Sequence, residues 1–314
     1  MKSSNTVPQP PLRPVIGNAD RMDRSAPVQS LMKLASEYGP FFKLTLPGRE
    51  FYVASSHAFA AELCDDSRFA KRVHVPLREI RAFAGDGLFT AYNDEPNWAL
   101  AHTILMPAFG PLGVRAMFED MVDIADQMFA RWARFGPDAV IDVADNMTRL
   151  TLDTIALTAF NYRFNSFYRE DMHPFVDAMV GALAESGARA RRFKPVTDVM
   201  LLSNRRYRSD IDIMQQVARD LIARRKASPT AGSETDLLGR MLNGRDPRTG
   251  EGLSDKNIVH QMITFLIAGH ETTSGLLSFV TYFLLKNPAV LAEARRQVDA
   301  VVGTGLPTLG HLAE

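Results

Sequence analysis

The sequence has little cysteine and no net charge, and both features exclude classes of protein. Cys64 is the only cysteine among 314 residues, which leaves no internal disulfide and no cysteine-rich metal centre. The 36 basic residues are balanced by 36 acidic ones. Without excess positive charge the chain lacks long-range attraction to phosphate, so we expect no nucleic-acid partner.

The N-terminal residues 1–18 lack an apolar segment that would serve as a signal peptide or a membrane anchor. Together with the near absence of cysteine, this predicts a cytoplasmic protein with no integral membrane segment. Hydrophobic residues make up 46% of the chain and charged residues 23%, a balance typical of a globular protein with a sizeable core.

Helical periodicity dominates the chain, and one hairpin interrupts it. A helix is predicted from Ser25 or Pro27 to Gly39, followed by strands over 42–46 and 51–54 around a Pro47-Gly48 turn. Further helices are predicted over 117–135, from a cap at Asp145 or Asn146 to Phe160, and over 171–187, 205–226 and 288–302, with polar loops over 226–235 and 243–252. No composition break divides residues 1–314. We therefore predict one domain, mainly α with a small β region near its N-terminus.

The most informative segment is a long helix predicted over 254–286, which would extend about 50 Å. Its two halves are apolar nearly all round, which predicts burial on every side. Between them lies the polar sequence GHETTSG, residues 269–275. Buried acids and hydroxyls cost free energy unless they are paired, so this interruption favours a helix whose middle faces a ligand or trapped water. A hydroxyl at Thr272 is expected to bond the carbonyl of Ala268.

Three other interpretations of this segment compete with a ligand-facing helix. A membrane-spanning helix has the right length, but His270 and Glu271 at its midpoint would be costly. A zinc-protease motif would need a second histidine at position 274, which is Ser274. The third interpretation stays open: a polar cluster whose groups are hydrogen-bonded within the core and which has no function.

The sequence AGHETT (268–273) resembles the oxygen-binding motif in the central helix of the cytochrome P450 family. The wider FLIAGHETTSGLLSF is similar to the soluble fatty-acid hydroxylases whose haem domain is fused to a reductase. Other stretches agree in the same order, namely GDGLFT (85–90), MTRLTLDTIAL (147–157), FNYRFNSFYR (160–169) and MLNGRDPRTGE (241–251). The resemblance, from about Pro11 to Pro288, implies the cytochrome P450 fold and a haem-dependent monooxygenase.

The resemblance implies roles for residues around a haem. Thr272 would hydrogen-bond dioxygen at the haem and help deliver protons, with Glu271 in the same relay. The small residues Ala268 and Gly269 would let the helix pass close to the haem. Trp98 and His102, one helical turn apart, would reach a haem propionate, and Lys71 is a further propionate candidate; ordinary core packing is the competing interpretation of Trp98.

The resemblance also implies substrate contacts. Phe89 and Leu77 would line the pocket for an apolar substrate such as a long-chain fatty acid. Arg49 would attract a substrate carboxylate at the channel mouth, or else it is a solvated turn charge. The fused hydroxylases pair this arginine with a tyrosine at the position of Val53, whereas Tyr52 would point to the opposite face of a regular strand.

The family's haem iron is held by a cysteine thiolate in a glycine-rich loop, preceded by a Glu-x-x-Arg helix. Neither element occurs in this chain, so we expect it to be the N-terminal part of a haem domain, truncated before the haem-ligand loop. Cys64 is interpreted as a structural thiol, because Glu62, Asp65 and Asp66 oppose a further negative charge on its sulfur. No residue of this chain is therefore assigned as a metal ligand.

The resemblance implies haem as the cofactor, with FAD, FMN and NADPH acting only through a reductase that is not present here. Its partners would be an apolar small molecule, dioxygen and the reductase. The alternative function is a non-catalytic lipid-binding or decayed haem-domain fragment.

Overall fold

The computed structural model describes residues 7–23, 25–192, 194–229 and 236–313. They fall into two compact units, one through Lys71 and one from Arg72 onward. The first unit contains helix α1 (Pro27–Tyr38), strands β1 (Phe41–Leu46) and β2 (Arg49–Ala54), and helix α2 (His57–Leu63).

The second unit is built from helices. They are α3 (Val75–Ala84), α4 (Pro96–Leu105), α5 (Pro111–Ala116), α6 (Phe118–Phe135), α7 (Val143–Phe160), α8 (Pro174–Arg189), α9 (Lys194–Val199), α10 (Leu201–Ala227), α11 (Leu237–Asn243), α12 (Asp255–Lys286) and α13 (Pro288–Val301). Short 3₁₀ turns cover Ala19–Arg21, Met106–Phe109, Ser166–Tyr168 and Leu309–Ala313. The prediction of a mainly α chain with a small β region near its start is confirmed.

The hairpin of the first unit forms where the sequence predicts it. Strands β1 and β2 pair antiparallel, with Leu46 opposite Arg49 across the Pro47-Gly48 turn. Gly48 has φ +74°, a conformation that glycine adopts without strain. Residues Phe42 and Leu44 of β1 are fully buried in a small apolar cluster with Leu34 of α1.

Most predicted helices are present within a few residues of their expected ends, but the start of α7 differs from the prediction. The cap is Asp142, whose Oδ1 accepts a hydrogen bond of 3.0 Å from the backbone N–H of Asp145. Asn146 lies inside the helix, and its Oδ1 accepts a 2.9 Å hydrogen bond from Trp132 Nε1 of α6. The predicted loop 226–235 begins only after Ala227, and its residues 230–235 lie outside the described part of the chain.

Helix α12 organises the second unit. It contacts α3, α7, α10, α11 and α13, and the main apolar core contains its residues Ile258, Val259, Met262, Ile263 and Leu266. Its start at the Ser254 cap and its end before Asn287-Pro288 are as predicted.

The C-terminal half of α12 is not buried as predicted. The apolar side chains from Leu276 onward are largely exposed, among them Leu276 (63%), Phe279 (65%), Phe283 (56%) and Leu285 (65%). On its covered side, Leu277 packs against an apolar cluster that contains Ile124 and Met128 of α6 and Met147 and Leu157 of α7. Although the C-terminal half of α12 is apolar on every side, it is therefore not buried on every side.

Two leucines on α12 provide a matched test of the difference in burial between its N-terminal and C-terminal halves. Leu266→Ala removes a fully buried side chain and should lower the free energy of unfolding by about 2–5 kcal/mol. Leu276→Ala, ten residues further along and exposed, should change it by less than about 0.5 kcal/mol. Chemical denaturation of the 314-residue chain measures both, and equal losses would contradict the burial described here.

Candidate active site

The polar segment of α12 is divided between two sides of the helix. His270 and Ser274 are buried, whereas Glu271, Thr272 and Thr273 are exposed. The predicted burial of this helix on every side therefore does not extend to Glu271 and Thr272. A helix turns about 100° per residue, so neighbours such as His270 and Thr272 cannot share a face.

The buried side of this segment is fixed to α7. Thr151 Oγ1 of α7 donates a 3.0 Å hydrogen bond to the carbonyl oxygen of His270. A Cβ on Gly269 would lie 2.8 Å from Cγ1 of Ile155, so only glycine allows the two helices to approach this closely. Gly269 thus lets α12 pack closely against α7. That it also lets the helix pass close to a haem stays a prediction.

Burial lowers the pKa of His270, although hydrogen bonding to the Leu266 carbonyl and the charge of Glu271 act in the opposite direction. His270 Nδ1 lies 3.1 Å from the Leu266 oxygen. The imidazole is therefore a neutral packing group at pH 7, on the side of α12 away from Thr272.

The exposed side of α12 carries an apolar stripe interrupted by one hydroxyl. Phe265, Ala268, Thr272, Leu276, Phe279 and Phe283 follow one another at intervals of three or four residues and therefore share a face. We call these six residues the α12 stripe. Phe265 is half-buried and the other five are exposed.

Thr272 lies near the middle of the stripe and donates a 2.9 Å hydrogen bond from Oγ1 to the Ala268 carbonyl, as predicted. Thr264, Ser278 and Thr281 make the same bond to the carbonyl four residues earlier. The backbone bond therefore does not distinguish Thr272 from these other hydroxyl residues. What distinguishes Thr272 is its position within an exposed apolar stripe.

Trp98 and His102 lie side by side on α4. Their rings stack with centroids 4.9 Å apart and planes 16° apart, and both side chains are exposed. Within the described residues, neither Trp98 Nε1 nor the His102 ring has a hydrogen-bond partner. Phe109, in the 3₁₀ turn that follows α4, stacks on Phe265 of the α12 stripe at 5.6 Å.

The predicted substrate residues fall in both units. Leu77 is half-buried on α3, and Phe89 is 57% exposed in the turn between α3 and α4. Arg49 opens β2 in the first unit and is exposed, and Lys71 ends that unit, also exposed.

Arg49 lies on the apolar face of strand β2. Alternation places Arg49 on the same side of β2 as Phe51 and Val53, which pack against the apolar cluster of the first unit. Tyr52 lies on the other side of the strand, as the sequence predicts, and it stacks there on Phe41 at 5.7 Å.

A polar cluster that the sequence analysis did not identify joins the turn after α3 to α12. Asp86 Oδ1 lies 2.7 Å from His260 Nδ1 and accepts a 2.9 Å hydrogen bond from Asn257 Nδ2. Burial raises the pKa of Asp86, but hydrogen bonds from Asn97, His260 and Asn257 outweigh it and lower the pKa to about 2. Asp86 is therefore an anion at neutral pH. The sequence signal that could have indicated this polar cluster is the acid between two glycines in GDGLFT.

Two further observations concern cofactors and membranes. The described residues contain no group of three or more His, Cys, Asp or Glu side chains arranged to hold a metal ion. Among those same residues no single helix has the length and apolar composition to cross a bilayer; α12 and α13, bent by 111° relative to each other, meet both criteria only as a pair.

Comparison with known proteins adds a family match over residues 7–314, to Cytochrome P450. The chain is 49% identical over 309 residues to a bifunctional cytochrome P450/NADPH–P450 reductase of Acremonium egyptiacum, covering 98% of this chain and 29% of that protein. It is 48% identical over 314 residues to a bifunctional cytochrome P450/NADPH–P450 reductase of Bacillus subtilis, covering 100% of this chain and 30% of that protein. A self-sufficient cytochrome P450 monooxygenase of Phanerodontia chrysosporium is 47% identical to it over 300 residues, which cover 96% of this chain and 28% of that protein. The chain thus spans less than a third of the length of these relatives.

The neutral buried state of His270 predicts a pH dependence of stability. A pKa below the ordinary value of 6.5 means that the folded state binds its proton less readily than the unfolded state. Stability is therefore lost as the pH falls below about 6.5. His270→Gln should remove this part of the loss, seen as a smaller difference in unfolding free energy between pH 8 and pH 5.

His173, whose pKa burial also lowers, provides an independent case, and His173→Gln should act in the same direction. A stability difference between wild type and His270→Gln that is the same at both pH values would contradict a neutral buried His270.

Proposed function

This chain belongs to the cytochrome P450 family, and from that premise we propose that its whole protein is a monooxygenase acting on long-chain fatty acids or similar apolar substrates. It would use dioxygen and electrons from NADPH to insert one oxygen atom into a C–H bond. The observation that carries the proposal is the position of Thr272, an exposed hydroxyl beside the acid Glu271, within the apolar α12 stripe.

The residues on this part of the second unit fit a haem group. The α12 stripe offers an apolar surface to a planar ring, and at Ala268 only a methyl group separates that ring from the backbone. Trp98 Nε1 and the His102 ring offer two adjacent donors, unpartnered within the described residues, to the acidic edge of the group. The haem-propionate role of Lys71, an exposed cation of the first unit, stays a prediction from the family resemblance. When bound, haem supplies the redox chemistry that activates dioxygen.

Thr272 and Glu271 would move protons on this face. Splitting dioxygen to yield one water consumes two protons at a site that substrate keeps dry, so a hydroxyl beside an acid suits the step. Thr272 Oγ1 would donate a proton to the reacting oxygen, and the Glu271 carboxyl group would resupply it from solvent.

Substrate selection would rest on apolar contacts more than on carboxylate binding. Phe89 and Leu77 are proposed as walls of the substrate pocket, and Arg49 as the cation that attracts an acidic end group. On β2 the neighbours of Arg49 are the apolar Phe51 and Val53, so Arg49 would act without a hydroxyl beside it. A single solvated cation supports weak carboxylate attraction and a tolerance for neutral apolar substrates.

The electrons are proposed to arrive from an NADPH-dependent reductase through FAD and FMN. The support is that the relatives named above are bifunctional P450/NADPH–P450 reductases or are named self-sufficient. A cytoplasmic location is proposed on the absence of any disulfide partner for Cys64. A lipid-binding module without catalysis would use the same apolar stripe but would have no need of Thr272 and Glu271.

The proton role is tested in the full-length protein with Thr272→Ala. Because the hydroxyl is lost, product formed per NADPH consumed should fall by up to ~100-fold and hydrogen peroxide should rise in its place. Thr272→Ser, which keeps the hydroxyl, should retain most of the coupling. Thr281→Ala is a matched control that removes a hydroxyl with the same backbone bond outside the stripe. Unchanged coupling in Thr272→Ala would refute the relay.

The thiolate ligand of the haem is proposed to lie outside these 314 residues, because Cys64 is exposed at the end of α2. Haem added to the chain, reduced and treated with carbon monoxide should give no thiolate-type Soret band, whereas the full-length protein should give one. A thiolate band from the chain that disappears in Cys64→Ser would show that Cys64 is the ligand.

A further inference from the structure

The turn between α3 and α4, residues 85–91, has a defined backbone and presents Phe89 at its surface. Thr90 Oγ1 donates a 2.9 Å hydrogen bond back to the Gly85 carbonyl, which closes the turn. Phe89 is 57% exposed. Because the turn is closed on itself, its placement as a unit determines where the Phe89 side chain stands.

Asp86 joins this turn to two helices. Besides its contacts with Asn257 and His260 of α12, Asp86 Oδ2 accepts a 2.6 Å hydrogen bond from Asn97 Nδ2 of α4. We call Asp86, Asn97, Asn257 and His260 the turn clamp. Asn257 is 1% exposed, and the side chains of Asp86 and His260 are 21% and 12% exposed. One carboxylate thus holds three partners in a region with little solvent, where charge-assisted hydrogen bonds are strong.

The backbone of the turn is held to α12 as well. The Leu88 N–H donates a 3.0 Å hydrogen bond to Gln261 Oε1, and Gln261 is fully buried. Gln261 Nε2 in turn donates to Asn257 Oδ1 at 3.1 Å, which links this contact to the clamp. Gly85 has φ +47°, and a Cβ there would clash with the His260 ring. The turn therefore lies against α12 at a distance that a larger residue would not permit.

We propose that Asp86 is a positioning residue for substrate oxidation: through the turn clamp it fixes the turn on α12 and thereby sets where Phe89 meets the substrate. The inference rests on the proposed function, in which Phe89 is a wall of the substrate pocket. Asp86 itself touches no substrate. Loosening the clamp would let Phe89 occupy several positions, so the enzyme would attack more than one carbon of the same chain.

The structural arm of the test is hydrogen exchange in the full-length holoenzyme without substrate. Asp86→Asn keeps the size of the side chain but removes its charge, and His260→Phe keeps an aromatic ring but removes the imidazole nitrogens. Each should speed exchange of the amides of residues 86–91 about tenfold, the equivalent of one charge-assisted hydrogen bond. Asp94→Asn is the matched control, since Asp94 is an exposed acid before α4 and lies outside the clamp.

The functional arm is the distribution of products from one apolar substrate. Asp86→Asn and His260→Phe should spread oxidation over more carbons and raise KM with little change in kcat. His260→Gln, which retains an N–H donor toward Asp86, should restore much of the wild-type distribution. Asp94→Asn should leave both the distribution and the exchange rates unchanged. A merely stabilising Asp86 would lower the melting temperature without moving the distribution.

The outcomes separate the inference from the function on which it rests. Unchanged exchange at residues 86–91 in both clamp variants would overturn the clamp. Faster exchange with an unchanged product distribution would overturn the positioning role. An unchanged distribution in Phe89→Ala would overturn the role of Phe89 and with it the inference, while leaving the exchange result in place. Failure of the wild-type holoenzyme to oxidise any apolar substrate would instead overturn the proposed function.

Discussion

The close approach of α12 to α7 is the constraint from which the rest of the candidate site follows. Gly269 lets the two helices meet at Ile155, and Thr151 fixes the His270 carbonyl from the same side. Because this contact sets the rotation of α12 about its axis, it directs His270 toward the core and Thr272 away from it. The buried His270 thus serves the packing, and the exposed Thr272 carries the proposed chemistry.

The side of α12 that α7 does not cover has an unusual composition. A stripe of exposed apolar side chains is costly in water, and one hydroxyl lies near its middle. A surface of this kind suits an apolar partner that also needs one hydrogen-bond donor. The family assignment implies haem as such a partner, and the stacked Trp98 and His102 pair is proposed to donate hydrogen bonds to its acidic edge.

Local patterns made the helices and the hairpin predictable, because caps, turns and apolar spacing act over a few residues. The start of α7 was missed, since Asp142, Asp145 and Asn146 are all good caps and only the formed helix selects one of them. The sequence also did not show which side of α12 is buried and which is exposed, for a different reason. Apolar residues on every side give no periodic signal, so only tertiary packing shows which face is covered.

The turn clamp lay beyond sequence reasoning because its parts are far apart. Asp86 and His260 are separated by 174 positions, and neither belongs to a motif that calls for the other. The glycines at 85 and 87 indicated an unusual turn, but not the helix against which it packs. Family resemblance, in contrast, transferred a candidate role to Thr272 directly, because AGHETT matches position by position.

The most direct test of the account asks whether the α12 stripe is the haem surface. Ala268→Phe would place a bulky ring on the stripe, and Thr273→Phe would place the same ring on an exposed position outside it. The measurement is the ratio of haem to protein in the purified full-length enzyme, with folding checked by circular dichroism. The account predicts loss of haem in Ala268→Phe and retention in Thr273→Phe; full haem content in folded Ala268→Phe would contradict it.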